Sequence, residues 1–289
     1  MLLNAAIWTL IVVSRSQGVT PGEGGPGLFD GTDYGALLKQ ARRAIDIGRP
    51  DQAVWAYRKA LEKMEADRIS AGLRCPIRIA LATAHLETGQ LRRAEESLLE
   101  ADRCQPMMEG NFAAAALANA WGGLHVTQGR YREARLDFAG GLGRIPKDRG
   151  PLSSTLLDNL AAAEIRLDLY PDALAHQNEA LRRWQALMPG HPLKLIKAYV
   201  GVAAAQYYSS DLDAAHSSML QAIASTRRFF GEGSPVMADV LESNAVILRR
   251  LGLKREARSA ENQAHRIRPA KIGGQSAYTV DVNTLLSKH

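Results

Sequence analysis

Apolar residues recur along most of the chain at the three- and four-residue spacing that indicates amphipathic α-helices. Residues 156–167 are typical of these stretches, with leucine, alanine and isoleucine side chains at helical spacing. A second stretch of the same kind follows after a short interval. The pattern therefore predicts pairs of helices joined by tight turns.

The helix pairs carry one sequence pattern six times. A glycine or another turn residue is followed by a mostly apolar residue after two positions, an alanine after five, a mostly bulky residue after nine and a small residue after twelve. Successive copies start 41, 40, 39, 42 and 42 residues apart, a regularity that six unrelated helix pairs in a globular bundle would not show. The copies begin at Gly48, Gly89, Gly129, Asp168, Ser210 and Gly252.

Each part of the pattern has a physical role in a helical hairpin. Glycine tolerates the left-handed backbone conformation that ends the first helix. Small residues seven positions apart in the second helix let the first helix approach closely, and the bulky residue between them fills the core of the hairpin. Because a single hairpin cannot bury apolar faces on both of its sides, stability must come from stacking on neighbouring hairpins.

With Pro106 and Pro146 following the second and third copies, the pattern resembles the tetratricopeptide repeat, whose standard period is about 34 residues. The longer step in this chain and the Pro-Gly-His-Pro loop at 189–192 resemble the kinesin-light-chain type of that repeat. The resemblance covers residues 34–268 and implies an all-α fold, a right-handed α-solenoid of six antiparallel helix hairpins. Departures from the family pattern include Ser210, which replaces the turn glycine, and Glu261, which occupies a core position.

The two ends of the chain fall outside the repeats. Residues 1–16 have an apolar core of signal-peptide length that ends in small residues, which predicts a signal peptide and export to the bacterial periplasm or the cell exterior. No lysine or arginine precedes this core, so an uncleaved membrane tether and a plain hydrophobic tail on a cytoplasmic protein stay open as alternatives. Residues 17–33 are predicted to form a linker rich in glycine and proline, and residues 269–289 a flexible tail.

The composition and the motifs favour a folded binding protein over an enzyme. Hydrophobic residues make up 46% of the chain, too many for a disordered protein, and no apolar run reaches the length of a membrane-spanning helix. The sequence contains no nucleophile elbow, phosphate-binding loop, zinc-protease motif or Cys-x-x-Cys pair. We therefore expect no catalytic residues, cofactor, metal or small-molecule substrate, and we interpret His85 and His125, which occupy the same place in two copies, as packed core rings.

The two cysteines of the chain fall at the same open end of one predicted hairpin. Cys75 lies 14 residues before Gly89 and Cys104 lies 15 residues after it. In an exported protein they are able to form a disulfide that closes a loop of about 30 residues. Two buried free thiols are the alternative.

The positive charge is concentrated at one end. The formal net charge is +6, and residues 249–289 carry nine basic and three acidic side chains, which accounts for all of it. A basic patch attracts nucleic acid or anionic lipid, although no nucleic-acid recognition motif accompanies it. The alternative function is therefore a cytoplasmic regulatory or sensory module that acts through this basic cap on a nucleic-acid-associated partner.

In a stack of curved hairpins the first helices line the concave side, where partners bind. We predict that a protein or peptide partner contacts this face and that the chain is an exported, non-enzymatic interaction scaffold. The adjacent pair Tyr207 and Tyr208 is the strongest candidate, since amphipathic aromatic side chains serve as interface anchors. The predicted contact residues are Arg42, Thr83, Asn119, Thr127, Asp158, Arg166, Lys197, Tyr207 and Tyr208.

Overall fold

A computed structural model describes residues 32–46, 49–107, 110–146 and 150–267 of the chain. These residues contain twelve α-helices and no β-strand, which confirms the all-α prediction. The helices are α1 Asp33–Asp46, α2 Pro50–Ala66, α3 Ala71–Glu87, α4 Leu91–Cys104, α5 Asn111–Thr127, α6 Tyr131–Arg144, α7 Pro151–Arg166, α8 Tyr170–Ala186, α9 Pro192–Tyr208, α10 Leu212–Phe230, α11 Pro235–Arg250 and α12 Lys254–Ile267. A 3₁₀ turn, Gln105–Met107, follows α4.

Three sequence predictions concern the ends of the chain. The signal peptide at 1–16, the linker at 17–33 except for its last two residues, and the tail at 269–289 lie outside the described residues. Among the helices that are described, none combines the length and the apolar content that a bilayer crossing requires.

The chain divides into two compact units, and the division falls within α7 after residue 156. The N-terminal unit contains three hairpins, α1 with α2, α3 with α4, and α5 with α6, together with the first residues of α7. The C-terminal unit contains the rest of α7, which contacts α8, and the hairpins α9 with α10 and α11 with α12. Consecutive helices pair as the repeat pattern predicts.

Every described turn inside a hairpin has a left-handed residue where the sequence pattern begins; Gly48 lies outside the described residues. The following amide donates to a carbonyl five positions earlier, which is the Schellman arrangement that ends a helix. Asp168 and Ser210 adopt the same conformation without being glycine, and the Tyr170 hydroxyl donates a hydrogen bond to the Asp168 carboxylate. The φ angles are 72° at Gly89, 74° at Gly129, 64° at Asp168, 64° at Ser210 and 81° at Gly252.

The small residues of the pattern are buried in all six hairpins, as close approach of the two helices requires. In the third hairpin the approach is closest at Gly122 of α5. A Cβ atom added there would lie 2.4 Å from the ring of Phe138, the bulky pattern residue on α6, which is 1% exposed. Glycine is therefore a packing requirement at position 122.

The substitution Gly122→Ala is expected to destabilise the N-terminal unit by about 1–3 kcal/mol, because the buried Phe138 ring leaves no room for the added methyl group. Gly143→Ala in the neighbouring helix is the matched control, since an added Cβ there meets nothing within 4 Å. That substitution should be neutral or stabilise by about 0.5 kcal/mol through helix propensity. Urea unfolding followed by circular dichroism measures both, and equal effects of the two alanines would contradict the packing account.

Candidate protein-interaction site

The predicted contact residues occupy three different environments. Thr127 is exposed, although its hydroxyl donates to the Leu124 carbonyl. Thr83, Asn119, Asp158 and Lys197 are buried, whereas Arg42, Arg166, Tyr207 and Tyr208 are half-buried. In the C-terminal unit the accessible members of the predicted set are therefore Arg166, Tyr207 and Tyr208.

Three tyrosines meet at the turn end of the hairpins in the C-terminal unit. Tyr207 and Tyr208 end α9, and Tyr170 begins α8. The Tyr170 and Tyr208 rings stack with centroids 5.7 Å apart and an interplanar angle of 9°. Tyr207 meets Tyr208 edge to face, with centroids 5.3 Å apart. The helix ends therefore assemble a continuous aromatic surface that is partly open to solvent.

Two arginines flank these rings. The guanidinium carbon of Arg250, the last residue of α11, lies 5.8 Å from the centroid of the Tyr207 ring, within cation–π range. Arg166, the last residue of α7, acts electrostatically on the Tyr208 phenol. Both arginines end a first helix, so the stacking of the hairpins brings them to the end where the tyrosines lie. We call Arg166, Tyr170, Tyr207, Tyr208 and Arg250 the tyrosine–arginine surface.

Apolar packing beneath their rings holds Tyr207 and Tyr208 in place. Tyr207 packs on the apolar cluster that includes Val200, Ala203 and Ile247, and Tyr208 packs on a neighbouring cluster. Burial, with a smaller contribution from Tyr207, raises the pKa of Tyr208 to about 12, while Arg166 acts in the opposite direction. The phenol therefore stays protonated at neutral pH. Rigid aromatic anchors beside guanidinium groups suit the binding of a polypeptide that presents apolar and carboxylate groups.

Asp158, another of the predicted contact residues, belongs to a buried hydrogen-bond network instead. Its Oδ1 accepts from Gln177 Nε2 at 2.8 Å and its Oδ2 from Trp184 Nε1 at 2.7 Å, both on α8. Trp184 is fully buried, and Gln177 occupies the bulky position of the fourth sequence copy. Burial raises the pKa of Asp158 to about 6, although the two donors and nearby lysines act in the opposite direction. In this arrangement Asp158 holds α7 against α8.

Polar side chains also face each other across several of the hairpins, a feature that the repeat pattern above does not include. One member of each pair lies four residues before the left-handed turn residue and the other eight residues after it, so the two face each other across the hairpin. His125 Nδ1 lies 2.6 Å from Asp137 Oδ2, and His176 Nδ1 lies 2.7 Å from Glu164 Oε2. The inner hairpins have polar pairs and the terminal hairpins apolar ones: His85 with Ser97, His125 with Asp137, Glu164 with His176, Gln206 with Ser218, Ala44 with Ala56 and Leu248 with Ala260. The twelve-residue spacing around each turn is the signal that reveals them.

Cys75 and Cys104 lie side by side in the N-terminal unit. Their Cα atoms are 5.8 Å apart, the two sulfur atoms are joined as a disulfide, and both residues are buried. The bond connects the fifth residue of α3 to the last residue of α4 and so ties the open end of the second hairpin. Among the residues that the structure describes, no group of three or more histidine, cysteine or acidic side chains is placed to hold a metal ion.

The basic cap at the C-terminal end is partly paired within the fold. Glu261 on α12, which departs from the repeat pattern, forms an ion pair with Arg249 on α11. Its carboxylate therefore ties the last two helices together at a position where other copies bury a bulky side chain. The other lysine and arginine residues of the cap that the structure describes are exposed: Arg250, Lys254, Arg255, Arg258 and Arg266.

Comparisons with known proteins agree with this architecture. Residues 152–228 match the family model of the tetratricopeptide repeat. BtubC (BKLC) from P. vanneervenii has a similar structure, with a TM-score of 0.63 and 19% identity over 84% of this chain and 94% of that one. PilW, a widely conserved type IV pilus biogenesis factor, gives a TM-score of 0.59 and 18% identity over 88% and 98% of the two chains. PilF from Pseudomonas aeruginosa gives a TM-score of 0.53 and 20% identity over 85% of this chain and 94% of that one.

At these identities the likeness to solved structures establishes the fold alone. A comparison with curated protein sequences yields no significant match. The matched family model and the shared architecture confirm the prediction of tetratricopeptide-type hairpins.

Proposed function

Because the chain is built of tetratricopeptide repeats, we propose that it is an exported, non-enzymatic scaffold that binds a protein or peptide partner. The observation that carries the proposal is the tyrosine–arginine surface, in which five side chains from four helices converge at one end of the C-terminal unit. A fold of stacked hairpins supplies extended surfaces for polypeptides, and this surface adds the anchors that such binding uses.

The chemistry of the surface favours a partner that carries carboxylates next to apolar groups. Arg250 is exposed beside Tyr207, so its guanidinium can bind a carboxylate while the ring receives an apolar side chain. Leu253, three residues after Arg250 in sequence, is 41% exposed and offers a further apolar side chain. The proposed partner is thus an acidic, partly apolar segment of a protein.

Affinity capture with the full chain tests this proposal. We expect that Arg250→Ala, and separately Tyr207→Ala with Tyr208→Ala, will reduce recovery of the captured partner at least tenfold, because the anchors of the interface are removed. Arg255→Ala is the matched control, since Arg255 is an exposed arginine of the same cap outside the surface. Circular dichroism checks that each variant keeps its helical content.

Undiminished capture by the Arg250→Ala variant, or an equal loss with Arg255→Ala, would contradict the proposed surface. The second outcome would point to the net charge of the cap as the determinant of binding. It would favour the alternative function, in which a cytoplasmic module acts through Lys254, Arg255 and Arg258 on a nucleic-acid-associated partner.

The location of the protein distinguishes the two proposed functions, and this test does not require the partner to be known. The buried cysteine pair Cys75 and Cys104 supports the exported form, because disulfides persist in oxidising compartments. N-terminal sequencing of the protein recovered from the periplasm or the medium should give a mature chain that begins near Gln17. An intact N-terminus on material found only in the cytoplasm would contradict export.

A further inference from the structure

A second surface, in the N-terminal unit, has the properties of a binding groove. A cleft of about 360 Å³ lies between α4, α5 and α6. Small residues of the lining, Ala118 on α5 and Gly140 on α6, leave the cleft open. Trp121 and Leu136 also line it, and Leu136 is 69% exposed, so its apolar side chain is accessible to a partner. We call this cleft the α5 groove.

Two carboxylates from different helices line the same groove. Asp102 of α4 accepts a hydrogen bond from Trp121 Nε1 at 3.0 Å, and Asp137 of α6 contacts His125 Nδ1 at 2.6 Å. The Trp121 ring stacks on the His125 ring with centroids 5.9 Å apart, so the tryptophan lies between the two acidic positions. Within the described part of the chain, neither carboxylate forms an ion pair with a lysine or an arginine.

The electrostatics of the groove favour a cation from outside the chain. Partial burial is the main cause that raises the pKa of both carboxyl groups, and the negative charge of Asp137 raises that of Asp102 further. A bound cation would remove this repulsion and gain charge-assisted hydrogen bonds to both groups. Arg144 also lines the groove, and its guanidinium donates to the Gly140 carbonyl at 2.9 Å. Its positive charge and that of Arg130, which acts electrostatically on Asp137, disfavour a run of several basic residues.

We propose that the α5 groove binds a single arginine of a partner polypeptide together with the apolar residue beside it. The guanidinium lies between Asp102 and Asp137, its stem and plane pack on the Trp121 ring, and the neighbouring apolar side chain packs on Leu136. Arginine fits better than lysine because its planar group both stacks on an aromatic ring and bridges two carboxylates. The groove shares no residue with the tyrosine–arginine surface, so the two binding proposals can be tested and contradicted separately.

The full chain and a short probe peptide test this inference. The probe is acetyl-Leu-Arg-Leu-amide, and its control is the same peptide with citrulline, which keeps the shape of arginine but has no charge. We expect saturable shifts of the Trp121 indole N–H resonance in a ¹⁵N correlation spectrum with the arginine peptide, and at least fivefold weaker binding of the citrulline peptide. The resonance is assigned with the variant Trp121→Phe.

Isosteric variants locate the binding. Asp102→Asn and Asp137→Asn should each lower the affinity for the arginine peptide at least fivefold, and the double variant should abolish binding. Glu95→Gln, an exposed acidic position of α4 outside the groove, should leave the affinity unchanged, as should Tyr207→Ala with Tyr208→Ala. Equal affinity for the two peptides, or full affinity in the double asparagine variant with an unchanged circular dichroism spectrum, would overturn the inference.

Discussion

Replacement of Asp158 by alanine is expected to lower the free energy of unfolding of the C-terminal unit by about 2–4 kcal/mol. The substitution leaves the Trp184 indole N–H, which is fully buried, without its acceptor and removes the anchor of Gln177. Urea unfolding measured at pH 7 checks the value. Asp213→Asn, at an exposed position of α10, is the control and should change stability by less than about 0.5 kcal/mol.

The pH dependence of the same site gives a sharper test. The pKa of Asp158 is raised from its ordinary 3.8 to about 6 in the folded protein, so between these pH values the folded state holds a proton that the unfolded state has lost. The stability that this proton contributes is complete below about pH 4 and is lost as the pH rises through 6, a change of about 3 kcal/mol. The substitution Asp158→Asn should remove this pH dependence, because an asparagine side chain does not titrate. The asparagine variant should therefore gain stability relative to wild type as the pH rises from about 4 to about 6, and a constant difference over that range would contradict the shift.

Loss of the Cys75–Cys104 bond is expected to destabilise the N-terminal unit by about 3–4 kcal/mol. The bond closes a loop with a sequence separation of 29 residues, and the chain-entropy model assigns about this value to a loop of that length. Unfolding curves with and without reductant measure the effect. The variant with both cysteines changed to serine should match the reduced wild type and should not respond to reductant.

Thiol titration of the full chain checks that the Cys75–Cys104 bond is present. Denatured, unreduced protein should contain no reactive thiol, whereas two reactive thiols would exclude the disulfide. An unfolding midpoint that reductant does not change would contradict the stability prediction even if the bond is present.

Much of the hairpin architecture could be read from the chain because its determinants are local. A left-handed residue at Gly89 or Gly252 is a property of one turn, and the small residues that follow are in fixed register with it. Even Ser210, which lacks the glycine signal, keeps the conformation because the helices on both sides impose it. The aromatic pair Tyr207 and Tyr208 also lies where the register places it, at the end of a first helix.

The burial of the polar side chains could not be predicted in the same way. Thr83, Asp158 and Arg166 all lie on the first helix of a hairpin. Thr83 and Asp158 are nevertheless buried, whereas Arg166 is half-buried. The difference depends on what the neighbouring helices supply. At Asp158, α8 supplies Gln177 and Trp184 as hydrogen-bond donors, and those residues lie 19 and 26 positions further along the chain.

The sequence alone thus determined the helix pairs, their turns and their close-packed interfaces, since these follow from short-range geometry repeated at a nearly constant step. Only the tertiary structure decided which polar residues are buried and which surfaces can bind a partner. The tyrosine–arginine surface joins the ends of α7, α8, α9 and α11, and the α5 groove joins α4, α5 and α6. The physical reason is that exposure and charge complementarity arise between hairpins, and no single copy of the pattern contains that information.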